Sequence, residues 1–401
     1  MRWIVGAAIA LVLGNSIACR AAEQTPGVTE TEIKVGTLYP LSGPASALGL
    51  VGKGLFAYVS YLNDRGGVSG RKVNLVMLDD AYSPPKAVEQ ARRLVEGEEV
   101  TFIFGQLGTP GNSATAKYLT GRKVPSIAVM SGASKFTDQQ QYPYVTTGMV
   151  SYVSEGKVYA RYLNKSRPGD KIAILYQNDD LGRDFVTAFK SILKEDFANR
   201  VVTASYDVTD PTVDSQVVSL QASGAAVLFV AGTPKFTAQA LRKAHEMNWS
   251  PLRLIASPSA SIASTLKPVG LDISAGILVG ATSKDASDPR WKDDQGVRDY
   301  RTFFQRYLAG ADFDDGTYQT GYQLGMILEQ LLKQCDGDFS RENVIRQALN
   351  FKDVTLPTQL PGVKINTSAT NNQFLEQMQM KRWTGSTWEP VGDIIDGGAA
   401  E

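Results

Sequence analysis

The sequence has almost none of the side chains on which most metal sites depend. Among its 401 residues there is one histidine, His245, and there are two cysteines, Cys19 and Cys335. These counts exclude histidine-rich metal sites and cysteine-rich zinc modules. Lysine and arginine together number 41, as do aspartate and glutamate, so the formal net charge is zero. The chain as a whole therefore has no general attraction to nucleic acid or to an anionic membrane.

The motifs of the common enzyme classes are missing as well. There is no G-x-S-x-G elbow, no H-E-x-x-H pair, no Walker A loop and no G-x-G-x-x-G fingerprint. Residues 105–111 are glycine-rich, but their spacing does not fit a dinucleotide-binding turn. The pairs Asp79-Asp80 and Asp179-Asp180 follow predicted strands, where adjacent side chains point to opposite sides, so we interpret them as capping or cleft hydrogen-bonding groups. We predict no catalytic residue, no metal and no cofactor.

Residues 1–22 have the pattern of a secretory signal peptide. Arg2 precedes an apolar run at residues 4–17, and small residues follow around Ala21 and Ala22. The run is shorter than the roughly 20 residues that a membrane-spanning helix needs. A buried N-terminal helix is one alternative; a lipid anchor on Cys19 is another, because residues 16–19 (SIAC) resemble a lipoprotein box. We predict an exported protein, cleaved after Ala21 or Ala22.

From Val28 onward, short apolar runs alternate with amphipathic segments, the pattern of parallel sheets covered by helices. The predicted strands of the first half are residues 33–38, 73–78, 101–105 and 126–130, with helices at 49–62 and from Pro84. The pattern then starts again, with predicted strands at residues 171–176, 201–206, 226–230, 253–255 and 276–279. Further helices are predicted at residues 291–307, 318–333 and 341–349, and a last strand at 377–383. Two successive open α/β units predict two lobes.

Loops with hydroxyl groups and glycines follow two of the predicted strands. Leu107 and Thr109 follow residues 101–105, ahead of a helix expected to begin near Asn112, and residues 131–134 (SGAS) follow residues 126–130. Ligands of open α/β sheets bind beyond the carboxyl ends of the strands. Free backbone N–H groups and a helix dipole at such a place favour an anion, for example a carboxylate. Ordinary turn chemistry explains the same residues equally well.

Several short segments, taken in order, carry a resemblance to a known family. They are residues 36–44 (GTLYPLSGP), 66–73 (GGVSGRKV), 78–80 (LDD) with 87–91 (AVEQA), 105–107 (GQL) and 179–182 (DDLG). In this order and spacing they resemble the leucine/isoleucine/valine-binding proteins, periplasmic binding proteins that serve ABC importers. The resemblance extends over essentially the whole chain after the signal peptide.

The resemblance implies a type I periplasmic binding protein fold, in which two lobes enclose a ligand cleft. Each lobe is a three-layer α/β/α unit around a parallel sheet, and three strands join the lobes, crossing near Met149, Thr282 and Leu356. Lobe 1 is then residues 28–148 and 282–355, and lobe 2 is residues 149–281 and 356–395. The implied protein is a periplasmic monomer that binds a small carboxylate, partners the permease subunits of an ABC importer and binds no nucleic acid. An amidohydrolase-like enzyme and a soluble ligand sensor on the same scaffold are the alternatives.

The resemblance also assigns ligand-binding residues. The hydroxyl-bearing loops that hold the ligand carboxylate in the family are matched by Leu107 and Thr109 and by Ser131, Gly132 and Ser134. Tyr152, just after the first crossing, is expected to line the cleft.

The sequence departs from the family pattern at the part of the site that recognises an amino acid. Leu48 and Leu181 stand where family members carry tyrosines, and residues 232–236 (GTPKF) lack the acid that pairs with the ligand's ammonium group. A buried ammonium without an anionic partner is strongly disfavoured. Asp214 is the alternative source of the acid. Together with Phe236, the two leucines predict an apolar pocket for a carboxylate with an aromatic or aliphatic body, rather than for a standard amino acid.

Overall fold

The structure is a computed structural model that describes residues 25–396. The predicted signal peptide at residues 1–22 and the lipid-anchor alternative at Cys19 lie outside the described residues. Within residues 25–396, no helix combines the length and the apolar character needed to cross a membrane.

The strands of the described chain form two separate sheets. The strands are β1 (Glu32–Tyr39), β2 (Lys72–Asp79), β3 (Phe102–Phe104), β4 (Ser126–Val129), β5 (Val145–Thr147), β6 (Ile172–Gln177), β7 (Val201–Tyr206), β8 (Val227–Ala231), β9 (Leu252–Ile255), β10 (Leu278–Ala281), β11 (Gln377–Trp383) and β12 (Trp388–Asp396). The first sheet has the order β2-β1-β3-β4-β5, and all its strands are parallel. The second has the order β12-β11-β10-β9-β8-β6-β7. It is parallel from β7 to β10, and β11 and β12 add an antiparallel hairpin at one edge.

Helices cover both faces of each sheet. They are α1 (Gly49–Asp64), α2 (Pro84–Arg92), α3 (Thr109–Gly121), α4 (Tyr152–Ser166), α5 (Asp180–Leu193), α6 (Phe197–Arg200), α7 (Asp214–Ala222), α8 (Pro234–Glu246), α9 (Lys267–Val269), α10 (Gln295–Tyr307), α11 (Thr317–Gln334) and α12 (Arg341–Ala348). Helices α1, α10, α11 and α12 pack on one face of the first sheet, and α2 and α3 on the other. Helices α4 and α5 pack on one face of the second sheet, and α7 and α8 on the other. Each sheet with its helices is one lobe.

Local sequence accounts for most of these elements. Every residue of β8 (VLFVA) is buried, as expected for a strand covered on both faces. Helix α2 begins with two prolines, which are tolerated in the first turn, where N–H groups have no helical partner. Helix α5 is capped by Asp179, whose carboxylate accepts a hydrogen bond from the Leu181 N–H at 2.9 Å. The capping interpretation of Asp179 therefore agrees with the structure.

Two predicted boundaries need correction. Helix α3 begins at Thr109 rather than near Asn112, because Pro110 fits the first turn of a helix. The third crossing was predicted near Leu356, but Leu356, Ile365 and Phe374 pack in the core of the first lobe. The Phe374 N–H also bonds to the Thr147 carbonyl oxygen at 3.0 Å. The chain therefore enters the second sheet only at β11, and residues 356–374 lie with the first lobe.

Strand β12 has no clear signal in the sequence. It contains Pro390 and Gly392, two residues that normally interrupt a strand. The strand forms because it is at the edge of the second sheet, where a proline without an N–H donor is tolerated.

Candidate ligand-binding site

A cavity of about 250 Å³ lies between the two lobes, beyond the carboxyl ends of strands from both sheets. This is the place that the topology of open parallel sheets favours for a ligand. Most of its wall is apolar, and both lobes contribute: Leu48, Leu107 and Leu324 from the first, and Leu181 and Ile262 from the second.

A cluster of hydroxyl groups lies at one side of the cavity, at the N-terminus of α3. The Thr109 Oγ1 is 2.8 Å from the Ser131 Oγ and 3.4 Å from the Tyr152 hydroxyl oxygen. Thr109 and Tyr152 line the cavity, and Ser131 lies behind Thr109 with none of its surface exposed. Burial raises the pKa of Tyr152 to about 12, so its phenol is neutral at physiological pH and available as a donor. The first turn of α3 adds the positive end of a helix dipole.

Two glycines let aromatic rings approach the backbone of this wall. A Cβ atom on Gly132 would lie 2.7 Å from the Tyr152 ring, and one on Gly108 would lie 2.7 Å from the Tyr82 ring. Gly108 also has φ of 112°, which an L side chain rarely adopts. A side chain at either position would therefore force the neighbouring ring or backbone to shift.

Tyr82 is held at the cavity by a strained turn at the end of β2. Both Ala81 and Tyr82 have positive φ, at 50° and 59°. The two preceding carboxylates stabilise this backbone: Asp79 accepts a hydrogen bond from the Ala81 N–H and Asp80 accepts one from the Tyr82 N–H, each at 2.9 Å. Such strain commonly marks functional positions. The Asp79-Asp80 pair therefore shapes the site, as the interpretation against an acid/base pair anticipated.

Contacts between the lobes close one end of the cavity, where the loop after β4 meets α5. Asp184 accepts hydrogen bonds from the Ser134 N–H at 2.6 Å and from the Ser134 hydroxyl at 3.0 Å. Beside it, Asp180 forms an ion pair of 2.6 Å with Lys135 and accepts a hydrogen bond of 3.1 Å from the Ser113 hydroxyl. We call these contacts the α5 closure contact.

A second set of contacts joins the lobes at the other end of the cavity. Lys267, at the start of α9, lies 3.1 Å from a carboxylate oxygen of Asp312 and 3.1 Å from one of Asp314. The Ser261 hydroxyl donates to Asp315 at 3.0 Å. We call these the α9 closure contact. With both ends joined, the structure shows the lobes in a closed arrangement.

The structure brings five of the nine predicted site residues to the cavity wall. They are Leu48, Leu107, Thr109, Tyr152 and Leu181. The other four lie outside the lining. Ser131 and Gly132 support Thr109 and Tyr152 from behind, and Ser134 faces Asp184 across the cleft.

Phe236 was expected in the cleft, but it is fully buried in the second lobe. Its ring packs 4.4 Å from the Tyr206 ring, because α8 begins at Pro234 and turns this residue toward the sheet. Asp214, the alternative acid, is exposed on the first turn of α7 and does not line the cavity.

Further lining residues were not identified from the sequence. Tyr82, Thr233 and Ser257 follow β2, β8 and β9, so the rule that located Thr109 could have found them. Asp285 and Lys381 also line the cavity, but they come from distant segments and have no local signal. Among residues 25–396, no group of three or more histidine, cysteine, aspartate or glutamate side chains could hold a metal ion.

The match to a family covers most of the chain. The model of the periplasmic binding protein family matches residues 32–387. The chain belongs to the periplasmic binding protein family. The Leu/Ile/Val-binding protein homolog 7 of Brucella suis biovar 1 (strain 1330) is 30% identical over 272 residues, which are 65% of this chain and 67% of that protein.

Solved structures agree in fold over nearly the full length. A branched chain amino acid ABC transporter protein from Thermus thermophilus with bound valine aligns with a TM-score of 0.81 at 16% identity, covering 92% of this chain and 97% of that one. A solute binding protein of an ABC transporter from Rhodopseudomonas palustris BisB5, in complex with 3,4-dihydroxy benzoic acid, aligns with a TM-score of 0.75 at 17% identity, covering 91% and 98%. The predicted two-lobed α/β fold of type I periplasmic binding proteins is confirmed.

Proposed function

We propose that this member of the family is an exported receptor of an ABC importer, which binds a small carboxylate with an apolar aliphatic or aromatic body. The observation that carries the proposal is the position of the Thr109 hydroxyl cluster, which lies at a helix N-terminus in the wall of an otherwise apolar cavity between two lobes.

The hydroxyl side of the cavity suits the carboxylate. Thr109 and Tyr152 supply donors, and the α3 dipole favours a negative charge without a basic side chain. Hydrogen bonds to a charged group are worth about 1.5–3 kcal/mol each, so two donors and a helix end can hold one carboxylate. The apolar walls then select the body of the ligand by burial.

Binding and release are proposed to proceed by hinge motion. The lobes are expected to separate about the crossings near Met149 and Thr282 and the one that precedes β11, which breaks both closure contacts and opens the cavity. The ligand is then stabilised by contacts with both lobes, so ligand binding shifts the population toward the closed form. The closed monomer in the periplasm would deliver the ligand to the permease subunits of the importer.

A standard amino acid is a second candidate, because a carboxylate does line the cavity. Asp285 faces it, and an acid at this position could pair with a ligand's ammonium group, which the sequence alone did not anticipate.

Isothermal titration calorimetry of the purified exported protein tests both candidates. The ligands are benzoate, cinnamate, octanoate, leucine and phenylalanine, and native mass spectrometry of the protein as purified searches for a retained ligand. We expect at least one of the three acids to bind more tightly than both amino acids, and to be recovered unchanged. Tight leucine binding with no response to the acids would overturn the choice of ligand class, and conversion of a bound acid would overturn the receptor role.

A further inference from the structure

Four charged side chains line the cavity, and two of them are neutralised by neighbours. The Lys284 ammonium lies 2.7 Å from an Asp294 carboxylate oxygen and donates to the Pro357 carbonyl oxygen at 2.8 Å. Asp314 forms the 3.1 Å ion pair with Lys267. Lys284 and Asp314 therefore have charged partners within the protein and do not require a ligand group to neutralise them.

Lys381 has no such partner. Within residues 25–396, no carboxylate oxygen lies within 4.0 Å of its ammonium nitrogen, which is 4.4 Å from the centre of the Trp388 ring. Of the acids near it, Asp288 is already bound by Arg290 at 2.6 Å, which leaves Asp285. Burial lowers the pKa of Lys381, because desolvation disfavours its charged form.

Asp285 is the fourth charged residue of the cavity lining, and only one of its two carboxylate oxygens accepts hydrogen bonds from described residues. Its Oδ1 accepts hydrogen bonds from the Ser287 N–H at 2.9 Å and from the Ser287 hydroxyl at 2.7 Å. Its Oδ2 has no hydrogen-bond partner among the described residues. Lys381 and Asp285 thus face the cavity with opposite charges, too far apart to pair directly.

We propose that Lys381 and Asp285 form a polar subsite that binds a hydroxyl group on the ligand. Lysine can only donate and an ionised aspartate can only accept, so the group between them must accept one hydrogen bond and donate another. A hydrocarbon there would leave two charges desolvated and unpaired, and a second carboxylate would be repelled by Asp285. This inference rests on the proposed function and narrows the ligand class to hydroxylated carboxylates.

The test compares acids that differ only by the added group. Calorimetry on the exported protein uses benzoate against 4-hydroxybenzoate, cinnamate against 4-coumarate, and octanoate against 8-hydroxyoctanoate. In at least one pair, the hydroxylated acid is expected to bind about 10- to 100-fold more tightly, the range for hydrogen bonds to charged groups. The three pairs place the hydroxyl at different distances from the carboxylate, so the preferred pair reports the spacing of the two subsites.

Two variants then assign the preference to the proposed residues. Lys381→Met and Asp285→Asn are each expected to abolish the difference in affinity between the preferred hydroxylated acid and its unsubstituted partner. Lys364→Met and Asp353→Asn are the matched controls, because these two residues form an exposed ion pair of 3.0 Å on the surface. Both controls are expected to bind like the unmodified protein.

Three results would overturn the inference. The first is the absence of any hydroxyl preference in the unmodified protein, a result that needs no variant to fold. The second is a preference that survives in both variants. The third is a gain in affinity in Asp285→Asn, which would indicate an anionic group opposite Lys381. If no acid binds at all, the proposed function itself fails, and the inference fails with it.

Discussion

The α5 closure contact is expected to control how tightly the protein binds its ligand. Replacing Asp184 with alanine removes both hydrogen bonds that Ser134 donates across the cleft, at 2.6 and 3.0 Å. Neither bond can exist once the lobes separate, so the variant loses stability only in its closed form.

The magnitude follows from burial and charge. A hydrogen bond to a charged group is worth about 1.5–3 kcal/mol, and because Ser134 and Asp184 are only partly buried we take about 2 kcal/mol for the two bonds together. That free energy corresponds to an affinity about thirtyfold lower when the open form dominates without ligand. The α9 closure contact should matter less, since the side chains of Lys267 and Asp312 are 38% and 51% exposed. Exposed ion pairs contribute about 0–1 kcal/mol, so Lys267→Ala is expected to lower affinity by about fivefold at most.

Calorimetry with the tightest-binding acid of the panel measures both effects, and circular dichroism checks that each variant is folded. Small-angle scattering with saturating ligand adds an independent readout, because Asp184→Ala should compact less completely than the unmodified protein. The reasoning is refuted if Asp184→Ala binds within twofold of the unmodified protein. It is equally refuted if Lys267→Ala has the larger effect.

Three further variants test the site and its support. Thr109→Val keeps the shape of the side chain but removes its hydroxyl, so the affinity for the panel acid should fall about tenfold in calorimetry; an unchanged affinity would show that the carboxylate binds elsewhere. Burial raises the pKa of Asp80 from 3.8 to about 6, so stability is greatest while the group is protonated and is lost as the pH rises through 6. Asp80→Asn should therefore raise the free energy of unfolding in urea by about 3 kcal/mol at pH 7.5 but only about 1 kcal/mol at pH 4.5, and equal effects at the two pH values would contradict this. Glu155 is fully buried and accepts hydrogen bonds from the Tyr159 hydroxyl and from the N–H and hydroxyl of Ser257. Glu155→Ala should lower the free energy of unfolding by about 3 kcal/mol, and a change below 1 kcal/mol in urea unfolding would be inconsistent with that network.

Much of the fold could be predicted because its causes are local. Strands such as β7 and β11 follow from short apolar or alternating runs, and helices such as α11 follow from apolar residues at helical spacing. Strand β12 and the path of residues 356–374 could not be predicted, because each depends on packing against a distant part of the chain.

The residues of the candidate site also fall into those that could be predicted from the sequence and those that could not. Thr109 was found because strand ends and loop chemistry are visible in sequence. Tyr152 was found from the family resemblance, and the two leucines in the cavity wall were found because they depart from the family pattern. Phe236 was misplaced, since the pattern that marks an apolar helix position does not say whether that position faces a cavity or a sheet.

The sequence by itself determined that the protein is an α/β chain, poor in histidine and cysteine, with hydroxyl- and glycine-bearing loops at the ends of two of its strands. Those properties depend on residue type and on spacing within a few residues. Only the tertiary structure decided which charges meet. It paired Lys284 and Asp314 with neighbours, it left Lys381 and Asp285 in the cavity wall without an ion pair between them, and it turned Ser134 toward Asp184 rather than into the cavity. Electrostatic pairing depends on distances of a few ångströms between segments far apart in the chain, and residue order does not contain those distances.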